Sequence, residues 1–285
     1  MIINKTIKRI AFNRAAITYD KHAVLQKQIS KDLFDRLSLI KIDPNIILDL
    51  GSGTGENNST FKSIYKNKRI INYDFSERML EQAKTKEKNL FGLKDLFGKC
   101  KVSYICGDIE ELPFAKNLID LVWSSSSIQW CTDLNKTLSE IKKSLNFGGL
   151  FIFSTFGPKT LNELSNINKS LSNKETVNKF HDMHEIGDML ISNGFSDPVL
   201  DSDIYTLTYS NIDKLFLDIK NIGATSSYKS DKQGLMGKGH LKKISMEYEK
   251  YKQSGLFPAT YEVIFGHAWN MNKNHNFKTF EIKSG

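Results

Sequence analysis

Three aspartates and a run of alternating glycines are the residues of this chain best placed to do chemistry. Gly51-x-Gly53-x-Gly55 follows directly on the apolar run Ile46-Ile47-Leu48-Asp49-Leu50. Glycine makes a tight turn and leaves no Cβ between the backbone and a ligand, so such a turn lets N–H groups come close to a bound molecule. The spacing departs from the dinucleotide fingerprint G-x-G-x-x-G, in which a pyrophosphate sits on a helix N-terminus. Here the third glycine comes one residue early, and no lysine and hydroxyl stand in phosphate-loop position. Taken alone, the turn also suits a plain strand-to-helix connection.

The aspartates give it company. Asp74 ends a second apolar run, 74 − 51 = 23 residues after the first glycine, where an acid accepts hydrogen bonds from both ribose hydroxyls. Asp108 follows a third run, where it would receive an exocyclic adenine amine while Ile109 packs on the ring; Asp49 lies at the mouth of the first strand. Any one of them would more often cap a helix or a turn. Three at successive strand ends define a nucleoside site at the carboxyl edge of a parallel sheet. Glycine and acid without a phosphate-binding cation suit an adenosine that carries a positive charge, which describes S-adenosylmethionine.

Those positions demand particular elements. After a basic lead-in, the spacing predicts a helix over Lys21 to Ile40, then strands over Ile46 to Leu50, Arg69 to Tyr73, Val102 to Cys106, Leu118 to Trp123 and Leu150 to Thr155. A helix from Ser76, as N-cap, runs to Lys88, and one capped by Asp133 runs to Leu145. Strand-helix alternation in this order predicts a parallel α/β sheet. Beyond Phe156 we expect helices over Thr160 to Leu171, His184 to Asn193, Asn211 to Ile222 and His240 to Ser254. One or two strands are expected in Val199 to Tyr209, and an edge strand over Ala259 to Trp269.

With the site in view, the chain resembles the class I methyltransferases: Ile47-Leu48-Asp49-Leu50-Gly51-Ser52-Gly53-Thr54-Gly55 looks like their first motif and Gly148-Gly149-Leu150 like their late turn. Ser52 and Phe147 stand where the family more often has Cys and Pro, and neither departure removes a needed group. The resemblance implies a Rossmann-like α/β fold, a mostly parallel seven-stranded sheet with helices on both faces and an N-terminal helical lid. The organisation expected is a lid over 1–42, a methyltransferase domain with helical insertions in its second half over 43–269, and a tail over 270–285. It also implies cofactor contacts at Asp49, Gly51, Ser52, Gly53, Gly55, Asp74, Phe75, Met79, Asp108, Ile109 and Ser124.

Other blocks narrow the family. Phe12-Asn13-Arg14-Ala15-Ala16-x-x-Tyr19-Asp20, Leu112-Pro113-Phe114, Ile128-Gln129-Trp130, Ser154-Thr155-Phe156-Gly157-Pro158, Pro258-Ala259-Thr260-Tyr261-Glu262-Val263 and Gly266-His267-Ala268-Trp269 span nearly the whole chain. They are similar to the malonyl-acyl-carrier-protein O-methyltransferases of biotin synthesis. The competitor is the methyltransferase-like, arginine-modifying assembly factor of respiratory complex I, which has a similar Pro-Ala-Thr-Tyr block. An RNA methyltransferase ranks last, because Ser124-Ser125-Ser126-Ser127 stands where an Asn/Asp-Pro-Pro-aromatic motif is expected and arginines are not clustered.

The first reading needs no general base. A malonyl carboxylate is already ionised at pH 7, so methyl transfer reduces to alignment and exclusion of water. Something must still hold the carboxylate. Arg14 and Tyr19, a fork donor and a phenol in the segment expected to cover the cofactor, are the candidates, with Trp130 lining the same pocket. His181 and His184 are spaced like ligands but lack a third, so no metal is expected and they read as solvated or capping. Tyr261 and His267 are expected in pocket or core.

Composition sets the frame. With 285 residues, 40% hydrophobic and 25% charged, the chain is ample for a buried core. Its net charge of +8 comes from 40 basic residues, of which only five, Arg9, Arg14, Arg36, Arg69 and Arg78, are arginine. Nucleic-acid readers favour arginine for bidentate and stacked contacts, so no nucleic-acid partner is expected. Acyl carrier proteins are acidic as a class, and Lys229, Lys232, Lys238, Lys242 and Lys243 form a basic stretch suited to docking one. Malonyl-CoA remains open as a substrate. Three cysteines without a CxxC pair, no secretory h-region and no membrane-length apolar run predict a cytoplasmic protein.

Overall fold

The computed structural model describes residues 4–90, 100–172, 180–224 and 238–271. The chain enters through three helices, α1 (Lys5–Ala15), α2 (Tyr19–His22) and α3 (Val24–Ser38). Strands and helices then alternate: β1 (Ile46–Leu50), α4 (Asn58–Ile64), β2 (Arg69–Asp74), α5 (Glu77–Leu90), β3 (Lys101–Cys106), β4 (Ile119–Ser125), α6 (Leu134–Ser144) and β5 (Leu145–Phe156). The second half adds α7 (Asn162–Ser172), α8 (Met183–Ser192), β6 (Ser196–Tyr209), α9 (Ile212–Asn221), α10 (Lys238–Tyr248) and β7 (Phe257–Trp269).

The strands form one seven-stranded sheet in the order β3-β2-β1-β4-β5-β7-β6. The first five pair in parallel and β7 pairs antiparallel with both β5 and β6. This is the class I methyltransferase arrangement. The order reverses between β1 and β4, and a crevice opens at such a switch point beyond the strands' carboxyl ends.

Helices cover both faces because the strands are apolar on both. Ile47 and Leu48, successive residues of β1, are each fully buried in different clusters. That is the reason a continuous apolar run marks a central parallel strand. One cluster gathers Leu25, Ile29, Leu33 and Leu37 of α3 with Trp123, Tyr209, Tyr248 and Phe265, and Phe34 stacks on Trp123 at 4.0 Å between centroids. The other gathers Leu138 and Ile141 of α6, Ile186 and Leu190 of α8, and Phe151 and Phe153.

Several expectations are corrected. The basic lead-in is a helix: Asn4 caps α1 by accepting from the Ile7 N–H at 3.1 Å. The single helix expected over Lys21 to Ile40 is two, parted at Ala23, whose ψ of 42 leaves the helical region. The strand expected at the edge, Ala259 to Trp269, is interior. β7 pairs on both sides and is buried along nearly its whole length, and β6 takes the edge as one 14-residue strand with a bulge between Ser196 and Val199. The helix expected to reach Ser254 ends at Tyr248 and continues as a single turn of 3₁₀ helix over Glu249–Tyr251. Of the expected tail, Asn270 still exchanges backbone bonds with Gly148 and Gly149, while 272–285 lie outside the described residues.

Two of the expected caps are present. Asp133 accepts from Lys136 N–H at 3.0 Å, and Ser76 Oγ accepts from Met79 N–H at 3.3 Å. Asp182 and Glu185 form a capping box on α8, and His181 pairs with Glu185 at 3.0 Å. Among the described residues no helix is long and apolar enough to cross a membrane.

Leu33 is fully buried at the centre of α3. Leu33→Ala is expected to lower unfolding free energy by about 2–5 kcal/mol, read from urea denaturation, because the sheet beneath it cannot collapse into the void.

Candidate functional site

β1 runs into the glycine turn, and the turn is pinned to the strand beside it. Gly51 and Ser52 N–H groups both donate to the Tyr73 carbonyl, at 2.7 and 3.1 Å. Gly51 has φ +77, and a Cβ there would stand 2.2 Å from Ser127 Oγ. Ser127 itself donates to the Leu50 carbonyl at 3.0 Å. The loop after β4 therefore lies against the turn, and only glycine leaves room for it. Gly55 serves packing: a Cβ would come within 2.8 Å of Ala83 Cβ on α5.

Asp74, at the end of β2, is 6% exposed. It accepts from Gly53 N–H at 2.9 Å and from Ser76 N–H at 2.8 Å. Burial pushes its carboxyl up to about 6 while those two N–H groups hold it down. Asp49 lies deeper, at 1% exposed, and accepts from Asn57 Nδ2 at 3.3 Å. Burial first, and then the charge of Asp74, push it up to about 7 against the Asn57 bond. Tyr73 Oη donates to the Asp108 carbonyl at 3.0 Å, which fixes the loop after β3.

The first helix closes the other side. Lys5 pairs with Asp108 at 2.6 Å and Glu110 at 2.8 Å. Lys8 stands over the Trp130 ring, 3.7 Å from its centroid. Phe12 meets Phe75 and Trp130 edge-on at 5.5 and 5.8 Å. Asp20 ties α2 to the turn, accepting from Thr54 Oγ1 at 2.6 Å and pairing with Lys86 at 2.7 Å. Burial, with Asp74 and Asp20 nearby, raises the Tyr19 phenol and keeps it protonated.

These elements enclose a cleft of about 710 Å³, its open mouth included. Of the residues expected on sequence grounds, Gly51, Gly53, Asp74, Phe75, Met79, Asp108, Ile109, Tyr19 and Trp130 line it. Asp49, Ser52, Gly55 and Ser124 stand behind the lining as buried or packing residues, Ser124 Oγ within 3.1 Å of Ser127 Oγ. Arg14 is exposed at the end of α1 and stands outside the lining; Tyr261 is core and His267 is half-buried in β7.

Sequence reasoning missed Lys5, Lys8, Phe12, Glu110, Ser125, Ser126, Ser127 and Cys131, which also line the cleft. Phe12 and the serine run lay in blocks already singled out. Nothing distinguished Lys5, Lys8 or Glu110 from the chain's other charged residues.

The donor set fits S-adenosylmethionine. Carboxylates at 74 and 108 suit the ribose hydroxyls, the adenine amine and the cofactor's positive charge, and Phe12, Tyr19, Phe75, Trp130 and Ile109 supply apolar walls. Ser126 Oγ is buried at the cleft and, among the described residues, has no hydrogen-bond partner, so it stands ready for a polar ligand.

Comparison with known proteins agrees. Residues 48–153 match the family model described as a methyltransferase domain. The chain is 41% identical over 268 residues to a malonyl-acyl-carrier-protein O-methyltransferase of Gallionella capsiferriformans, covering 94% of this chain and 91% of that one. The chain belongs to the malonyl-acyl-carrier-protein O-methyltransferase family. A family member from a Methylovorus species is 40% identical over the same length, covering 94% and 90%. Among solved structures, YcgJ of Bacillus subtilis aligns with TM-score 0.58 at 16% identity, over 85% of this chain and 99% of its own. Phosphoethanolamine N-methyltransferase 2 of Haemonchus contortus, in complex with S-adenosyl-L-methionine, aligns with TM-score 0.56 at 17% identity, over 91% and 57%. At those identities the likeness shows the shared fold.

Because the cofactor is cationic and Asp74 titrates near 6, protonating Asp74 removes an acceptor and a charge. Cofactor affinity is expected to fall as pH drops below about 6. Asp74→Asn should weaken binding on the order of 10- to 100-fold at pH 8 and abolish that acid limb. Isothermal calorimetry at several pH values checks both.

Proposed function

We propose that this protein transfers the methyl group of S-adenosylmethionine to the free carboxylate of a malonyl thioester carried on acyl carrier protein. The ester it makes would start pimeloyl chain synthesis for biotin. The observation that carries this reading is the 41% identity with a malonyl-acyl-carrier-protein O-methyltransferase across 94% of the chain, joined to an acidic, glycine-lined cleft. When bound, S-adenosylmethionine supplies an electrophilic methyl on a sulfonium.

The chain's own residues bind, orient and exclude water. Asp74 would take the ribose hydroxyls. Asp108 keeps acceptor capacity beyond its bond to Lys5, since a carboxylate has about four lone-pair sites. Ser52, Gly53 and Ser124 support the turn and the loop that carry these contacts. Tyr19, held protonated, donates to a carboxylate oxygen, and Phe12, Phe75 and Trp130 shut out water around two opposite charges that cancel in the product. No general base is required, because the attacking carboxylate is ionised at neutral pH. α1 and Tyr19 act as the cover over residues 43–269, while α3, within the same first 42 residues, packs into the core.

The partner would be an acidic carrier, and the lysine excess suits it. Lys242 and Lys243 are exposed on α10, whose inner face buries Ile244 and Tyr248. Lys238 belongs to the same helix, and Lys229 and Lys232 lie outside the described residues. Three free thiols support a cytoplasmic setting.

Incubation with S-adenosylmethionine and malonyl-acyl carrier protein should add one methyl mass to the acyl group by mass spectrometry; an unchanged mass sinks the reading. For docking, Lys242→Glu combined with Lys243→Glu should slow transfer to the carrier about tenfold at low salt and spare cofactor affinity. Rates that match the wild type at low salt would return these lysines to solubility.

A further inference from the structure

Lys8 is a cation in the lining of the cleft to which the cofactor contacts give no role. It sits one turn along α1 from Lys5, so both reach the same side of the helix. Lys5 is engaged by Asp108 and Glu110. Lys8 is 1% exposed, lines the cleft and holds its ammonium over the face of Trp130, with Phe12 edge-on to the same ring. The aromatic face fixes where that ammonium stands in the cleft.

The substrate needs what Lys8 offers. A malonyl group brings a carboxylate into a cleft that already presents Asp74, Asp108 and Glu110, and like charges at short range repel. We propose that Lys8 receives the malonyl carboxylate, pairing with one of its oxygens against the Trp130 face and leaving the other oxygen free to take the methyl group. This rests on the malonyl-transfer reading above. Lys8 keeps its proton throughout, and the ester product carries no charge for it to hold, so the same contact that selects malonyl lets the product go. An acetyl thioester lacks the carboxylate and gains nothing from Lys8.

A pH signature follows. Burial pushes the Lys8 ammonium down to about 7, so its charge is present below neutrality and lost above it. The titratable groups that share the cleft are Lys5, Tyr19, Asp74, Asp108, Glu110 and Cys131. Burial pushes the Cys131 thiol up to about 12 and raises the Tyr19 phenol, so neither changes charge near neutrality. Asp74 titrates on the acid side and Asp49, behind it, near neutrality; both gain charge as pH rises, opposite in sense to the Lys8 limb, and both lie on the cofactor side, where saturating cofactor suppresses their limbs.

The test is a pH profile of kcat/KM for malonyl-acyl carrier protein at saturating S-adenosylmethionine, on wild type, Lys8→Gln and Lys8→Arg, with acetyl-acyl carrier protein as a competing inhibitor. Wild-type kcat/KM should fall as pH rises through about 7. Lys8→Gln should lose about 30-fold at pH 6.5, show no alkaline limb and bind S-adenosylmethionine within about threefold of wild type. It should also be inhibited by the acetyl carrier as the wild type is. Lys8→Arg, charged at every working pH, should move the limb up by more than about two pH units. A Lys8→Gln enzyme with wild-type kcat/KM, or a Lys8→Arg enzyme with an unmoved limb, overturns the assignment while malonyl transfer itself stands. A wild type that never methylates the malonyl carrier overturns both. Should Lys8→Gln fail to fold, the Lys8→Arg profile decides alone.

Discussion

Negative charge held out of water at the carboxyl ends of two neighbouring strands is the constraint around which this protein is arranged. Asp49 and Asp74 are both nearly inaccessible, and the charge of Asp74 raises the cost of ionising Asp49. Left to burial alone such acids would stay neutral and useless for gripping a cation. Backbone and amide N–H groups shift the balance, two on Asp74 and the Asn57 amide on Asp49. That requirement dictates local shape. The glycine turn must fold back far enough to aim the Gly53 N–H at Asp74. α5 must begin at Ser76 so that a helix N-terminus, with its positive end, faces the same carboxylate.

A second layer follows from the first. Acids at the mouth of the cleft also attract the protein's own ammonium groups, and α1 supplies one in Lys5. Lys5 bridges Asp108 and Glu110, carboxylates that backbone donors also hold: Glu110 accepts from the Thr132 N–H at 2.5 Å and Asp108 from the Glu110 N–H at 3.0 Å. α1 is thus fastened to the cleft by two of its acids. The fastening is local and reversible, because the Lys5 and Asp108 side chains are 37% and 40% exposed, and partly hydrated ion pairs are weak.

The sheet and the acids at its strand ends, Asp74 and Asp108 in the cleft lining, were legible because each leaves a one-dimensional mark. A parallel strand buried on both faces reads as an unbroken apolar run, and Ile46 to Leu50 followed by three glycines admits few alternatives. The strand placed at the edge was misread for the same reason that exposes its error. Ala259 to Trp269 holds polar residues, Thr260, Glu262 and His267, among apolar ones, which imitates one-sided exposure. Yet Glu262 is buried by bonds to the loop after β5, accepting from Lys159 N–H at 2.8 Å. The helical lid expected over 1–42 did not reveal the span of α1, because the residues that helix buries, Lys8 and Ala15, carry no hydrophobic period. Lys5, Lys8 and Glu110 were invisible since a charged residue's partner is set by tertiary placement, which spacing along the chain does not encode.

The position of β7 bears on how the molecule assembles. β5 and β6 both pair with β7, and Tyr209 of β6 lies against Phe257 across a connection that includes α9 and α10. On a ribosome, β6 therefore emerges with its partner strand still unmade, and its row of backbone donors must wait without a mate. β7 has to slide between a finished sheet and that waiting strand and pair with both at once. Closing so long a connection raises the contact order of the sheet, and the β6–β7 pairing is the last one the emerging chain can make.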